Sequence, residues 1–317
     1  KVGEKDSPFK SNYLKVWIEG ESYNHLDVAE QLGLIGKKLT ELLSEAYESN
    51  KLNQFLNQLD GYFCAVIYDE KTKKITLISD RYGMRLLYWY EKDGAFAWGS
   101  EIKAILACNG TCKKINKAGL KCFMDLGYFL GEDTFFEMIR LIKPATVLTF
   151  DLSTRKIDQH YYWTWSEIKL SNLSFEDAVD ELGERFLKAV KKRFNPDQSI
   201  GISLSGGLDS RAIFAAVNKL SPNYVGYSFT FGVPDCDDIK IAEKTSKLTS
   251  WHHESFFFKK DNWFLPRFKN VWDTDGMLDI MHMHGSQFDE NVSKDIDINL
   301  SGYLGDAIFN TSYQKDN

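Results

Sequence analysis

Alternation between apolar and polar positions gives the first signal. Leu14, Val16 and Ile18 recur at every second position over 13–21, which predicts a strand, and the turn at 20–24 ends it. Over 34–59 the period changes. Leu39, Leu42, Leu43, Ala46, Tyr47, Leu52, Phe55, Leu56 and Leu59 recur at helical intervals, predicting a helix that Asp60-Gly61 breaks. Further strands are predicted at 62–68, 75–79, 86–90 and 95–98. Hairpins at this density imply an antiparallel sheet.

The second half reads differently. Ser174 is placed to cap a helix with acids in its first turn, Lys191-Lys192-Arg193 at its end, and Phe175, Val179, Leu182, Phe186 and Val190 as its buried stripe. A strand at 200–204, a helix from Ser210, and then strand, helix, strand, helix and strand at 224–231, 238–248, 252–258, 263–271 and 296–300 follow. Strands alternating with helices imply a parallel sheet covered on both faces, with ligands beyond the carboxyl ends of its strands.

At one such end stands Ser205-Gly206-Gly207-Leu208-Asp209-Ser210. Adjacent glycines let backbone N–H groups approach an anion, the serines add hydroxyl donors, and the following helix start favours negative charge. Asp209 would repel a phosphate unless a cation lay between them, so its expected role is Mg²⁺. The loop lacks the Gly-Lys-Ser/Thr ending of a Walker A loop and the spacing of the dinucleotide fingerprint.

This loop resembles the pyrophosphate loop of N-type ATP pyrophosphatases, which split ATP into AMP and pyrophosphate while adenylating an oxygen. Upstream, Leu59-Asp60-Gly61-Tyr62-Phe63-Cys64, Asp80-Arg81-Tyr82-Gly83, Leu86-Leu87-Tyr88-Trp89 and Ser100-Glu101-Ile102-Lys103 resemble, in order, motifs of the glutaminase domain of asparagine synthetases. Lys143-Pro144 and Tyr161-Tyr162-Trp163 resemble the exit from that domain. Downstream, Leu300-Ser301-Gly302-Tyr303-Leu304-Gly305-Asp306 resembles the family's second pyrophosphate loop. The resemblance implies two domains: at 1–165 a class II amidotransferase-like αββα sandwich, at 166–317 a parallel-sheet ATP pyrophosphatase domain lacking part of its C-terminal end. It implies ATP and Mg²⁺ as ligands, with Ser205, Gly206, Gly207, Asp209, Ser210, Phe231, Gly232, Ser301 and Gly302 around the nucleotide and Asp209 with Asp306 on the metal.

Departures from the family pattern sharpen the expectation. Its nucleophile is an N-terminal Cys, whereas the first Cys here is Cys64, inside a predicted strand. Its oxyanion-hole Asn is replaced by Glu19, whose charge opposes a developing oxyanion. Its Ser-Asp-x-Glu segment falls near Lys37-Lys38-Leu39-Thr40, with no acid before Glu41. The first domain is therefore expected to be a scaffold without glutaminase activity. In the second, Tyr303 replaces an acidic residue and Ala307 a Glu. Asp237-Asp238 resembles the acidic pair opening the family's next helix, or is simply a helix-capping pair.

The resemblance implies an ATP-dependent carbon–nitrogen ligase that adenylates a carboxylate, on a small molecule or peptide, for attack by an amine or ammonia. The alternative is a nucleotide-binding regulatory or assembly protein without turnover. Composition bounds the partners: a net charge of -6 disfavours non-specific nucleic-acid binding, and no apolar run reaches membrane-spanning length. Five cysteines, odd in number and scattered, suggest reduced thiols and a cytoplasmic protein. A homodimer is compatible with all of this.

Overall fold

The computed structural model describes residues 8–305. In chain order the elements are β1 (Phe9–Lys10), β2 (Leu14–Ser22), α1 (His25–Leu32), α2 (Leu39–Glu48), α3 (Leu52–Gln58), β3 (Gly61–Asp69), β4 (Lys74–Ser79), β5 (Tyr88–Lys92), β6 (Ala95–Gly99), α4 (Ile102–Leu106), α5 (Lys117–Leu126), β7 (Ile139–Leu141), β8 (Thr146–Asp151) and β9 (Ile157–Tyr161). There follow α6 (Phe175–Arg193), β10 (Ile200–Ser203), α7 (Leu208–Leu220), β11 (Tyr227–Gly232), α8 (Asp237–Ser246), β12 (His252–Phe257), α9 (Arg267–Asp273), α10 (Asp289–Val292) and β13 (Ile298–Leu300). They form two compact units. The first runs to Leu170 and includes Asp273–Asp279; the second comprises Ser171–Trp272 and the chain from Ile280.

The first unit is layered. Strands β1-β2-β3-β4-β8-β9 make one antiparallel sheet, and β6-β5-β7 a second. Leu14, Val16, Phe63, Ala65 and Ile67 face α1–α3, where Leu42, Leu43, Ala46 and Phe55 close the core. On the opposite face Cys64, Val66, Leu77 and Leu148 meet Trp89 of the smaller sheet and Leu87 just before it. That sheet turns Tyr88 and Tyr90 toward Ile102 and Ile105 of α4. Period-two patterning thus feeds two different cores from one strand, as the alternation predicts.

Three local expectations need correction. The predicted helix at 34–59 is two helices, because Asn50 adopts φ 57 after α2 and Lys51 closes the turn onto the Ala46 carbonyl. Helix α1 lies where no helix was expected. The α6 stripe is largely uncovered: Val190 is buried, Phe186 partly so, while Phe175 is 79% exposed and Val179 and Leu182 about half exposed. Helical periodicity reports a face that wants cover, and among the described residues the N-terminal half of this one is only partly covered. Ser174 does cap α6, accepting from the Asp177 amide.

In the second unit the order β12-β11-β10-β13 is parallel throughout. Among the described residues no helix is long and apolar enough to cross a membrane.

Candidate functional site

Strand β10 delivers the Ser205 loop. Its buried Ile200 and Ile202 fix the strand in the core, and Leu204 extends the pairing by donating to the Phe229 carbonyl at 2.8 Å. The chain then turns through Gly206 and Gly207 into α7. Ser210, buried in the first turn of α7, holds the loop: its hydroxyl accepts from the Ser205 amide at 3.0 Å and lies 3.0 Å from the Ser205 hydroxyl. The Gly207 amide donates to Ser205 Oγ at 3.2 Å. Gly207 is the N-cap of α7 and offers no side-chain cap, so the positive end of a long helix is left without an internal acceptor from its cap residue.

The second loop follows from sheet register. Ile202 of β10 pairs with Leu300 of β13, so the two strands end together and their loops leave the same edge. Contact between the loops depends on glycine. A Cβ on Gly302 would come 2.7 Å from the Ser210 amide nitrogen, and one on Gly305 would come 2.6 Å from Asp209 Cγ. Ser301, Gly302 and Asp209 are therefore brought together with Ser205, Gly206, Gly207 and Ser210. Asp306, the expected second metal ligand, and Ala307 lie outside the described residues. Tyr303 is 74% exposed at the loop tip.

Phe231 and Gly232 end the neighbouring strand β11, but their surroundings are protein. Phe231 packs on Phe258 and Phe288, and a Cβ on Gly285 would strike its ring at 2.5 Å. Gly232 is buried under the first turn of α8, where a Cβ would meet Cys236 Sγ at 2.8 Å. Its lack of a side chain lets α8 approach the strand end.

That approach positions a residue of uncertain role in the sequence. Cys236 is the N-cap of α8, so Asp238 is free to reach out of its first turn, and its Oδ1 accepts the Gly206 amide at 2.7 Å. Asp209 also lines a cavity of about 480 Å³, together with Val179, Leu182 and Phe186 of α6, Ile213 of α7 and Tyr303.

In the first unit the glutaminase-type positions are also placed. Glu19 stands opposite Cys64 in the β2–β3 ladder and pairs with Arg85 at 3.5 Å, while the Arg85 guanidinium lies over the Tyr62 ring. Burial, reinforced by the Glu19 carboxylate, pushes the Cys64 thiol up to about 12, far from a reactive thiolate. Glu41 is a helix-start residue: its carboxylate accepts from the Lys37 amide at 2.8 Å and the Lys38 amide at 3.1 Å, which lowers its pKa.

Known proteins resemble both units. A family model described as a glutamine amidotransferase domain matches residues 3–163, and one described as asparagine synthase matches residues 181–316. Asparagine synthetase [glutamine-hydrolyzing] 3 of Bacillus subtilis is 28% identical over 95% of this chain and 52% of its own length. The human asparagine synthetase [glutamine-hydrolyzing] is 29% identical over 78% of this chain and 45% of its own. A Methanocaldococcus jannaschii protein bearing the same family name is 28% identical over 98% and 61%. The chain thus spans between 45% and 61% of the length of these relatives.

Proposed function

The chain belongs to the asparagine synthetase family, and from that premise we propose that its second unit binds ATP with Mg²⁺ and adenylates a carboxylate for attack by an amine or ammonia. The observation carrying this reading is the meeting of two glycine-dependent loops at one sheet edge, with Asp209 between them. The residues suit a nucleotide polyphosphate. The α7 start has no side-chain cap, hydroxyls of Ser205 and Ser210 line the turn, and Asp209 is a half-buried carboxylate beside backbone that only glycine permits. In this reading Asp209, with Asp306 after Gly305, holds Mg²⁺, whose charge offsets that of the departing pyrophosphate. Ser205 and Ser210 orient the phosphates by hydroxyl donation.

The first unit is proposed as a scaffold. A glutaminase needs an activated thiolate and neutral donors at its oxyanion hole. At the place matching the family's oxyanion-hole Asn stands instead Glu19, a carboxylate paired with Arg85 at 3.5 Å. The carboxylate and amine accepted are set by groups around Asp209 and Tyr303. Because an exposed Tyr303 supplies no general base to an attacking amine, nucleotide binding without turnover is the second reading.

ATP–pyrophosphate exchange decides between them. Radiolabel moving from pyrophosphate into ATP, dependent on Mg²⁺ and on one carboxylate from a panel, supports the ligase. Mg-ATP binding without exchange on any carboxylate supports the second reading, and no binding sinks both.

A further inference from the structure

A phosphate cradle is expected to keep its backbone amides free for the ligand. Here the Gly206 amide already has an anionic partner: Asp238 Oδ1 at 2.7 Å, reaching across from α8. Three observations say that the contact is built rather than incidental. Gly232, buried beneath α8, is the residue whose missing side chain lets the helix start come this close, since a Cβ there would meet Cys236 and Ile239. Gly206 is equally tight from the loop side, since its Cβ would lie 2.9 Å from Asp238 Oδ1 and 3.2 Å from Ile241 Cδ1. Ile239 and Ala242, which follow Asp238 in the helix, are buried and anchor α8, so Asp238 is presented from a fixed base although its side chain is exposed.

We propose that Asp238 is a positioning residue of the nucleotide site. It locks Gly206 so that the Ser205–Ser210 turn keeps one shape and the donors at the α7 start face the phosphates. The proposal rests on the nucleotide-binding reading above but concerns a different contact. A hydrogen bond with one ionised partner is roughly twice as strong as a neutral one, and its fixed length suits a clamp. Asp238 does not touch the phosphates; it acts through the backbone of Gly206. Its influence is therefore confined to ligand groups that the loop holds.

The test uses the full chain and the variants Asp238→Ala, Asp238→Asn and Gly206→Ala, with titration calorimetry of Mg-ATP, inorganic pyrophosphate and adenosine. Asp238→Ala is expected to weaken Mg-ATP and pyrophosphate about tenfold, the scale of one charge-assisted hydrogen bond, and to leave adenosine unchanged. Asp238→Asn, whose amide oxygen still accepts from Gly206, restores most of the affinity. Gly206→Ala, which pushes the carboxylate away from the loop side, reproduces the loss. Equal weakening of adenosine would mean general damage to the unit and would overturn the proposal, as would tighter Mg-ATP binding by Asp238→Ala. Amide hydrogen exchange at Gly206 separates this idea from the nucleotide reading. Faster exchange in Asp238→Ala than in wild type, even where wild type binds no ATP, shows the clamp while the nucleotide reading fails. Unchanged exchange overturns the clamp.

Discussion

Gly305 and Asp209 are so close that a single methyl on the glycine would stand 2.6 Å from the Asp209 Cγ. No real side-chain carbon tolerates that separation, so the second loop or the Asp209 side chain must move if Gly305 acquires one. Gly305→Ala is therefore expected to cost about 1–3 kcal/mol by overpacking and to abolish any Mg-ATP-induced rise in melting temperature. Differential scanning fluorimetry with and without Mg-ATP reads both effects. A variant that keeps the full ligand-induced rise would refute the dependence of the site on this contact.

Asp209 itself gives a cleaner removal. Asp209→Ala deletes a half-buried carboxylate without adding bulk, so its melting temperature should stay near that of the wild type in the absence of ligand. At ligand concentrations of 100 times the dissociation constant, binding is worth about 2.7 kcal/mol, which the wild type should display as a higher melting temperature and Asp209→Ala should not. An equal Mg-ATP shift in both proteins would remove Asp209 from the metal site.

The alkaline limb of stability should carry the signature of Cys64. Its thiol is held protonated in the fold, up to about 12, against an ordinary value of 9.0. The unfolded chain therefore releases this proton first. The contribution is intact below about pH 9 and is lost as pH rises from there toward 12, with a slope of up to about 1.4 kcal/mol per pH unit. Urea midpoints of wild type and Cys64→Ala, measured from pH 8 to 10.5, should converge as pH rises. A parallel pair of curves would contradict the burial argument. At pH 8 the exposed Cys108 should react with a thiol reagent in the native protein, whereas Cys64 reacts only on unfolding.

Asp275 predicts a stability effect far away in sequence. Its carboxylate accepts from the Ile102 amide at 2.6 Å and the Lys103 amide at 3.3 Å, and pairs with Lys103 Nζ at 3.2 Å. It thereby supplies to α4 the N-terminal acceptor that Glu101 does not. Its side chain is 8% exposed. Asp275→Ala should cost about 2 kcal/mol, the loss of a mostly buried charged cap. Chemical denaturation followed by the fluorescence of Trp89 and its neighbours would read it, and a change below about 0.5 kcal/mol would show α4 to be held by packing alone.

How much of this was legible in sequence depends on how local each cause is. The β3 and β4 strands and the Ser205 turn are written in neighbouring residues, because pleat alternation and glycine pairs act over a few positions. The break at Asn50 was harder, since Leu52 and Phe55 continue the helical period that Ala46 and Tyr47 begin, and only a positive φ separates them. The stripe on α6 was readable as apolar but not as uncovered, because cover comes from other elements. Asp238 and Asp275 were least legible of all. Each acts on a backbone amide many positions away, and an acid at a helix start, as in the Asp237-Asp238 pair, or in a loop looks the same whether it caps locally or reaches across the fold.

The segment Asp273–Asp279 has a practical consequence for anyone cutting the gene. The polypeptide leaves the first unit after Leu170, returns to it for these residues and leaves again at Ile280. A fragment ending at Leu170 would carry every strand of the layered sheets yet lack Asp275 and Met277, the latter packed against the α4 core. Tidy boundaries in the linear sequence would thus yield an orphaned α4 start. Separate production of the first unit calls for a graft of the 273–279 segment rather than a truncation.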